Sequence, residues 1–244
     1  AGAAVAWEDV SAASGTVSGK TEGTNFADSL LVGHTTTGTL NEAEGNTGVG
    51  IEALDALTSG DNNTCIGFKA GTAITTGDAH VAIGWQTLDA QVGGTGNTAV
   101  GEQALAKSTG DRNTAVGQNA LYNVVGNGYG TAIGANALFL ATGGYNIAIG
   151  RNSGDNITSG AGNVIIGSVD AASATDDAQL KISSYDGTTT VNWIAGDSSA
   201  HLTFFNDVIL DSDSCVLKFG DDQDTTLTHT DGTGLTLNGT NKLC

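Results

Sequence analysis

Polar and apolar residues alternate along this chain in short phrases that recur at a nearly constant step. Each phrase closes on a glycine: Gly33, Gly50, Gly67, Gly84, Gly101, Gly117, Gly134, Gly150 and Gly167, with steps of 16 or 17 residues. The residue before the glycine is always β-branched: Val32, Val49, Ile66, Ile83, Val100, Val116, Ile133, Ile149 and Ile166. Two positions earlier stand Leu30, Thr47, Thr64, Val81, Thr98, Thr114, Thr131, Ile147 and Val164. Strand side chains alternate faces with period two, so these two columns share one face. Their β-branched character assigns that face to a core. The small residue between them, commonly Ala, is expected to point the other way, where another backbone can come close.

After the glycine a second segment carries Leu54, Leu88, Leu105, Leu121 and Leu138, each four residues on, and returns a leucine to the interior. Its composition favours helix, but six residues between turns are too few for a stable one. A second short strand is therefore expected, with a helical turn allowed in some units. Polar turns such as TSGDN and STGDR lead to the next unit. Asn opens the phrase at Asn46, Asn63, Asn97, Asn113, Asn146 and Asn163, where it suits a corner and an amide ladder. Nine copies of one unit predict an all-β parallel solenoid, a rod of roughly 40 Å at the usual strand spacing. Because threonine shares its column with Leu30, Val81, Ile147 and Val164, that column is read as interior, which argues against an ice-ordering threonine face.

The repeated phrase N-S/T-x-A-V/I-G-x-x-A resembles the head repeat of trimeric autotransporter adhesins. The NTAVGxxAL form, complete in Asn97–Leu105 and Asn113–Leu121, is more similar to repeats in phage tail fibres. Ser29, His80 and Gly130 depart from the pattern at the Asn column. The resemblance covers roughly residues 29–167. It implies a left-handed parallel β-roll of about nine turns, a homotrimer, and a structural role as the rigid shaft of a tail fibre or virion appendage, joined to other virion proteins at one end. Two alternatives go with it. One is a receptor-binding adhesin of phage or bacterial surface, touching host glycan or protein through outward Tyr122, Tyr129, Phe139 and Tyr145; the other is a capsid decoration trimer. The expected location is the virion, or else a bacterial cell surface.

Past about residue 176 the period is lost and hairpin-like alternation takes over. LKI followed by WIAGD resembles the collar that follows repeat shafts in phage fibres, with Trp193, Phe204 and Phe205 as core of an intertwined collar. A carbohydrate-stacking role for Trp193 is the rival reading. The segment LKFGDDQDTTLTHTDGTGLTLNGTNKL is similar to strand–turn modules of phage structural proteins, which usually continue past the position of Cys244. The expected organisation is a leader, cap or anchor over 1–28, the shaft over 29–170, the collar over 171–210 and a strand–turn module over 211–244.

Composition narrows the chemistry. Among 244 residues there is no proline, where average usage of about 5% would give roughly a dozen; a chain of ladder donors has no place for it. A net charge of −18 with eight scattered Lys and Arg argues against nucleic-acid binding. No apolar run is long enough for a transmembrane helix. Cys65, Cys215 and Cys244 have no disulfide or zinc spacing, and Cys65 falls in the alanine column as a small packed residue. His34, His80, His201 and His229 are dispersed. Gly126, Gly128 and Gly130 resemble a phosphate loop only superficially, since no helix follows. Asp221, Asp222 and Asp224 lack the spaced carboxylates and closing Glu of a calcium loop. Neither enzyme activity nor a cofactor or metal is expected.

Overall fold

The computed structural model describes residues 29–32, 40–126 and 128–205. The leader, Gly33 and the strand–turn module with its acidic cluster lie outside the described residues.

The repeats form a parallel β-solenoid. One three-residue strand per turn gives β1 (Leu30–Val32), β2 (Thr47–Val49), β3 (Thr64–Ile66), β4 (Val81–Ile83), β5 (Thr98–Val100), β6 (Thr114–Val116), β7 (Thr131–Ile133), β8 (Ile147–Ile149) and β9 (Val164–Ile166). Each pairs in parallel with the next, in register, so that Ala99 stands over Ala115 and Ala115 over Ala132. Three longer or antiparallel strands complete the sheet: β10 (Leu180–Tyr185), β11 (Thr190–Gly196) and β12 (Leu202–Phe204). β10 continues the parallel stack on β9, then β11 and β12 fold back as hairpins. All twelve strands belong to one sheet in sequence order.

The alternation along each strand is as expected, but the faces are inverted. Cys65, Ala82, Ala99, Ala115, Ala132, Ala148 and Ile165 of the middle column are fully buried. The columns assigned to the core, Val32, Val49, Ile66, Ile83, Val100, Val116, Ile133, Ile149 and Ile166, and with them the threonine column, point outward and are half-buried or exposed. The reason is the thinness of the roll. Leu54, Leu88, Leu105, Leu121 and Leu138 enter from the return segment and are all buried. Little room is left opposite them: a Cβ added at Gly48 would touch Leu54 Cδ1 at 3.5 Å and collide with the side chain of Leu31, the larger residue of this column on the neighbouring turn. Where the return residue is Gly71 or Gly154 instead of Leu, Ile74 and Ile157 three positions later reach into the freed space. At those levels the strand residue is larger too, Cys65 and Ile165.

The return segment is neither strand nor helix. The residues two and four after the closing glycine adopt left-handed backbone, as in Glu52 (φ 60°) and Leu54 (φ 56°) or Gln103 (φ 55°) and Leu105 (φ 54°). For leucine that conformation costs roughly 1–2 kcal/mol. Burial of the side chain, worth about 1.5–3 kcal/mol, offsets it. The alternating turns also keep turn-to-turn bonds: Lys69 N–H donates to Ile51 O at 3.0 Å and Leu54 N–H to Ala70 O at 3.1 Å. The closing glycines lie near φ 135°, and a Cβ on Gly134 would come 2.4 Å from Gly150 O on the next turn.

The asparagine corner is an internal ladder. Asn63 N–H and Nδ2 both donate to Asn46 Oδ1 at 3.0 Å, and Nδ2 also donates to Gly77 O at 2.8 Å. The pattern repeats between Asn97 and Asn113 and between Asn146 and Asn163. Gln179 receives the end of the ladder, its N–H donating to Asn163 Oδ1 at 2.8 Å. These amides are essentially fully buried, so their role is structural, as their position in the phrase implies.

Candidate functional site

Two surfaces differ from an ordinary solvated face. The first is the outward strand face. Ile66, Ile83, Val116, Ile133 and Ile149 expose 38–42% of their surface, and neither outward column holds a charged residue. Its registry carries into the hairpins: Leu180 aligns with Val164 and Ile182 with Ile166, then Ile194 with Phe204 and Gly196 with Leu202. Phe204 and Leu202 are about half exposed. Trp193 sits at the irregularity between Ile182 and Ser183, half exposed, with Nε1 donating to Ser184 Oγ at 3.1 Å.

The second surface lies on the return segments. Residues two after the glycine form an amide ladder: Asn119 Nδ2 donates to Asn136 Oδ1 at 3.1 Å, and Asn136 Nδ2 to Asn152 Oδ1 at 3.2 Å. At the head of the ladder Asn119 Oδ1 is buried and accepts no hydrogen bond. A cavity of about 410 Å³ opens beside it, walled by Asn119, Asn136, Phe139, Leu140, Asp155 and Asn156. Asp155 is also in the wall of a second cavity, of about 520 Å³, between the last turns and the hairpin. Arg151, Asp170, Lys181, Tyr185 and Asn192 contribute to that one. Partial burial, then the hydrogen bond and charge of Asp170, push the Asp155 carboxyl up to about 6. Lys181 Nζ donates to Asp170 O at 3.0 Å.

The four aromatics named as outward contacts separate into two stacked pairs. Tyr122 and Phe139 stack with centroids 5.1 Å apart, and Lys107 Nζ lies 4.9 Å from the Tyr122 ring. Tyr129 and Tyr145 stack at 5.0 Å, with Arg112 over Tyr129 and its Nη1 donating to the phenol oxygen at 2.8 Å. Of these four, Phe139 lines the first cavity. The groove is nearly illegible in the sequence. Its one readable trace is the recurrence of Asn two residues after Gly117, Gly134 and Gly150.

Among the described residues no group of three or more His, Cys, Asp or Glu side chains converges on a metal position, and no helix is long and apolar enough to cross a membrane. Burial pushes the Cys65 thiol up to about 12, the condition of an inert packing residue. Comparison of the chain with protein-family models, curated proteins and solved structures finds no match.

Proposed function

We propose that the chain is a section of a homotrimeric phage tail fibre or virion appendage, a rigid shaft that holds an adhesive or assembly module away from its anchor. The observation that carries this reading is the outward strand face: uncharged over nine turns in a chain of net charge −18, and continuous with the apolar face of the hairpins. Contiguous exposed apolar patches beyond a few hundred Å² mark interaction surfaces. A strip roughly 40 Å long, set by the strand spacing, and about 7 Å wide, set by two residues of strand rise, covers about 280 Å², which is of that order. Three such faces turned toward a common axis bury one another and leave the acidic turns in water. Continuous ladders along each chain then resist bending, and the collar shares the same interface as the shaft.

The test is the particle mass in solution, by light scattering, for the native chain and for Ile133→Asp. A mass three times the 24.3 kDa of the chain, lost in the variant, supports the trimer. A stable native monomer overturns it. In that case the outward Thr47, Thr64, Thr98, Thr114 and Thr131 stand in water on a flat sheet, and thermal hysteresis of freezing becomes the next measurement.

A further inference from the structure

We propose that the two cavities on the return segments form one groove that binds a neutral oligosaccharide. They share Asp155 as a common wall. Together they run from the turn of Asn119 to the hairpin residue Asn192, about 24 Å at the usual spacing between neighbouring strands. That length suits an extended chain of several sugar units, not a single small molecule.

The chemistry of the walls selects the class. Phe139 is covered on one side by Tyr122, while its place in the cavity wall leaves a surface for the apolar face of a pyranose. The amide ladder beside it fixes the orientation of Asn119 and Asn136 and leaves Asn119 Oδ1 as a buried acceptor without a donor. A ladder that already holds these amides in place presents sugar hydroxyls with fixed polar geometry, which lowers the ordering cost of binding. Further along, Asp155 and Asp170 offer carboxyl oxygens, and Arg151, Lys181 and Asn192 offer donors. Closely set donors and acceptors of both kinds, with an aromatic platform, match a polyol. A polyanion is disfavoured by the two aspartates and by a net charge of −18. Catalysis is not part of the proposal. This groove lies off the outward strand face, so it is independent of the trimer reading.

The experiment is isothermal titration of the native chain with maltohexaose, cellohexaose, mannohexaose and chitohexaose, with a hyaluronan hexasaccharide as the anionic control. Saturable binding of at least one neutral sugar is expected. Phe139→Ala and Asn136→Ala should each weaken it by about tenfold or more, the loss of one good contact, while Tyr129→Ala leaves it unchanged. Light scattering on the same variants should give the native mass, which separates loss of the groove from loss of the assembly. Binding to none of the neutral sugars, preference for hyaluronan, or binding that survives both groove substitutions overturns the proposal.

Discussion

His80 interrupts the asparagine ladder, and replacing it tests how the corner is held. The imidazole is fully buried. The backbone N–H of His80 donates to Asn63 Oδ1 at 3.0 Å, and the backbone N–H of Asn97 donates to His80 Nδ1 at 3.2 Å. Nδ1 is thus an acceptor, which places the proton on Nε2, and Nε2 makes no well-formed hydrogen bond, only a loose approach to the Gly94 backbone. An asparagine at this position would reproduce the neighbouring corner, where Nδ2 of Asn63 reaches both the preceding amide and a turn carbonyl. A buried donor left unpaired costs about 1–3 kcal/mol. The smaller side chain vacates part of the ring volume, which returns about 1 kcal/mol of that gain. His80→Asn should therefore stabilise the solenoid by up to about 2 kcal/mol at neutral pH, taking the two terms together.

The same substitution should change the pH response. Burial holds the His80 imidazole below its ordinary 6.5, opposed by the charges of Asp111 and Asp78. A folded-state pKa below the unfolded one means that the unfolded chain takes up the proton first. Stability is then full above 6.5 and falls as the pH drops toward the folded value. Asp155 acts with the opposite sign and is common to both proteins, so the difference between them isolates His80. Urea unfolding of native chain and variant, at about pH 8 and about pH 5 on either side of the ordinary imidazole value, reads both effects. The stability gap should widen at the lower pH. An asparagine variant no more stable than the native chain, with an unchanged gap at the two pH values, would refute this account of the ladder.

Three further outcomes are expected. Gly134→Ala should destabilise by about 3 kcal/mol or more, from the positive φ together with the clash against Gly150 O, read as a drop in the urea midpoint. In a chain with Cys215→Ser and Cys244→Ser, the Cys65 thiol should fail to react with a thiol reagent until the fold is opened, and Cys65→Ala should cost about 1 kcal/mol because Gly71 leaves no leucine opposite to fill the gap. Asp155→Asn should raise stability most above about pH 6, progressively less as the pH falls toward the ordinary 3.8, and little below it: the native carboxyl, raised from 3.8 to about 6, is held best when protonated, and that advantage is lost as the pH rises between these two values. Melting temperature against pH reads the crossover.

How much of this was legible in the sequence depends on what the period alone can carry. Register, turn length, the buried asparagine corner and the returning leucines all follow from residues that recur at one step, and the structure has each of them. Period two, however, divides a strand into two faces without saying which is inside. Burial statistics favour Val and Ile for the core, and here they mislead, because Leu105 and its counterparts already fill the interior and leave space only for Ala99 or Ala115 across from them. The left-handed leucines were illegible for a related reason. Their local preference is unfavourable, and they persist because the next turn supplies both a hydrogen bond and a packing surface.

The inverted faces change what the repeat means for function. Had Val100, Val116 and Ile133 closed a core within one chain, the outer surface would have been alanine, smooth and without strong demands on a partner. Instead the interior closes mainly with Ala and Leu, with Ile74, Ile157 and Ile165 where a returning leucine is missing, and the amide ladder satisfies its own corner. Those columns, uncharged throughout, are left outside. A solenoid is close to a sum of nearest-neighbour terms, so its internal stability does not call for these residues, and alternating polar side chains would serve a solitary rod equally well. Their β-branched character over nine turns, broken only at Leu30, is therefore better accounted for by contact with something outside the chain. The pairing of β9 with β10 keeps that face continuous into the hairpins, so one partner surface would meet both parts at once.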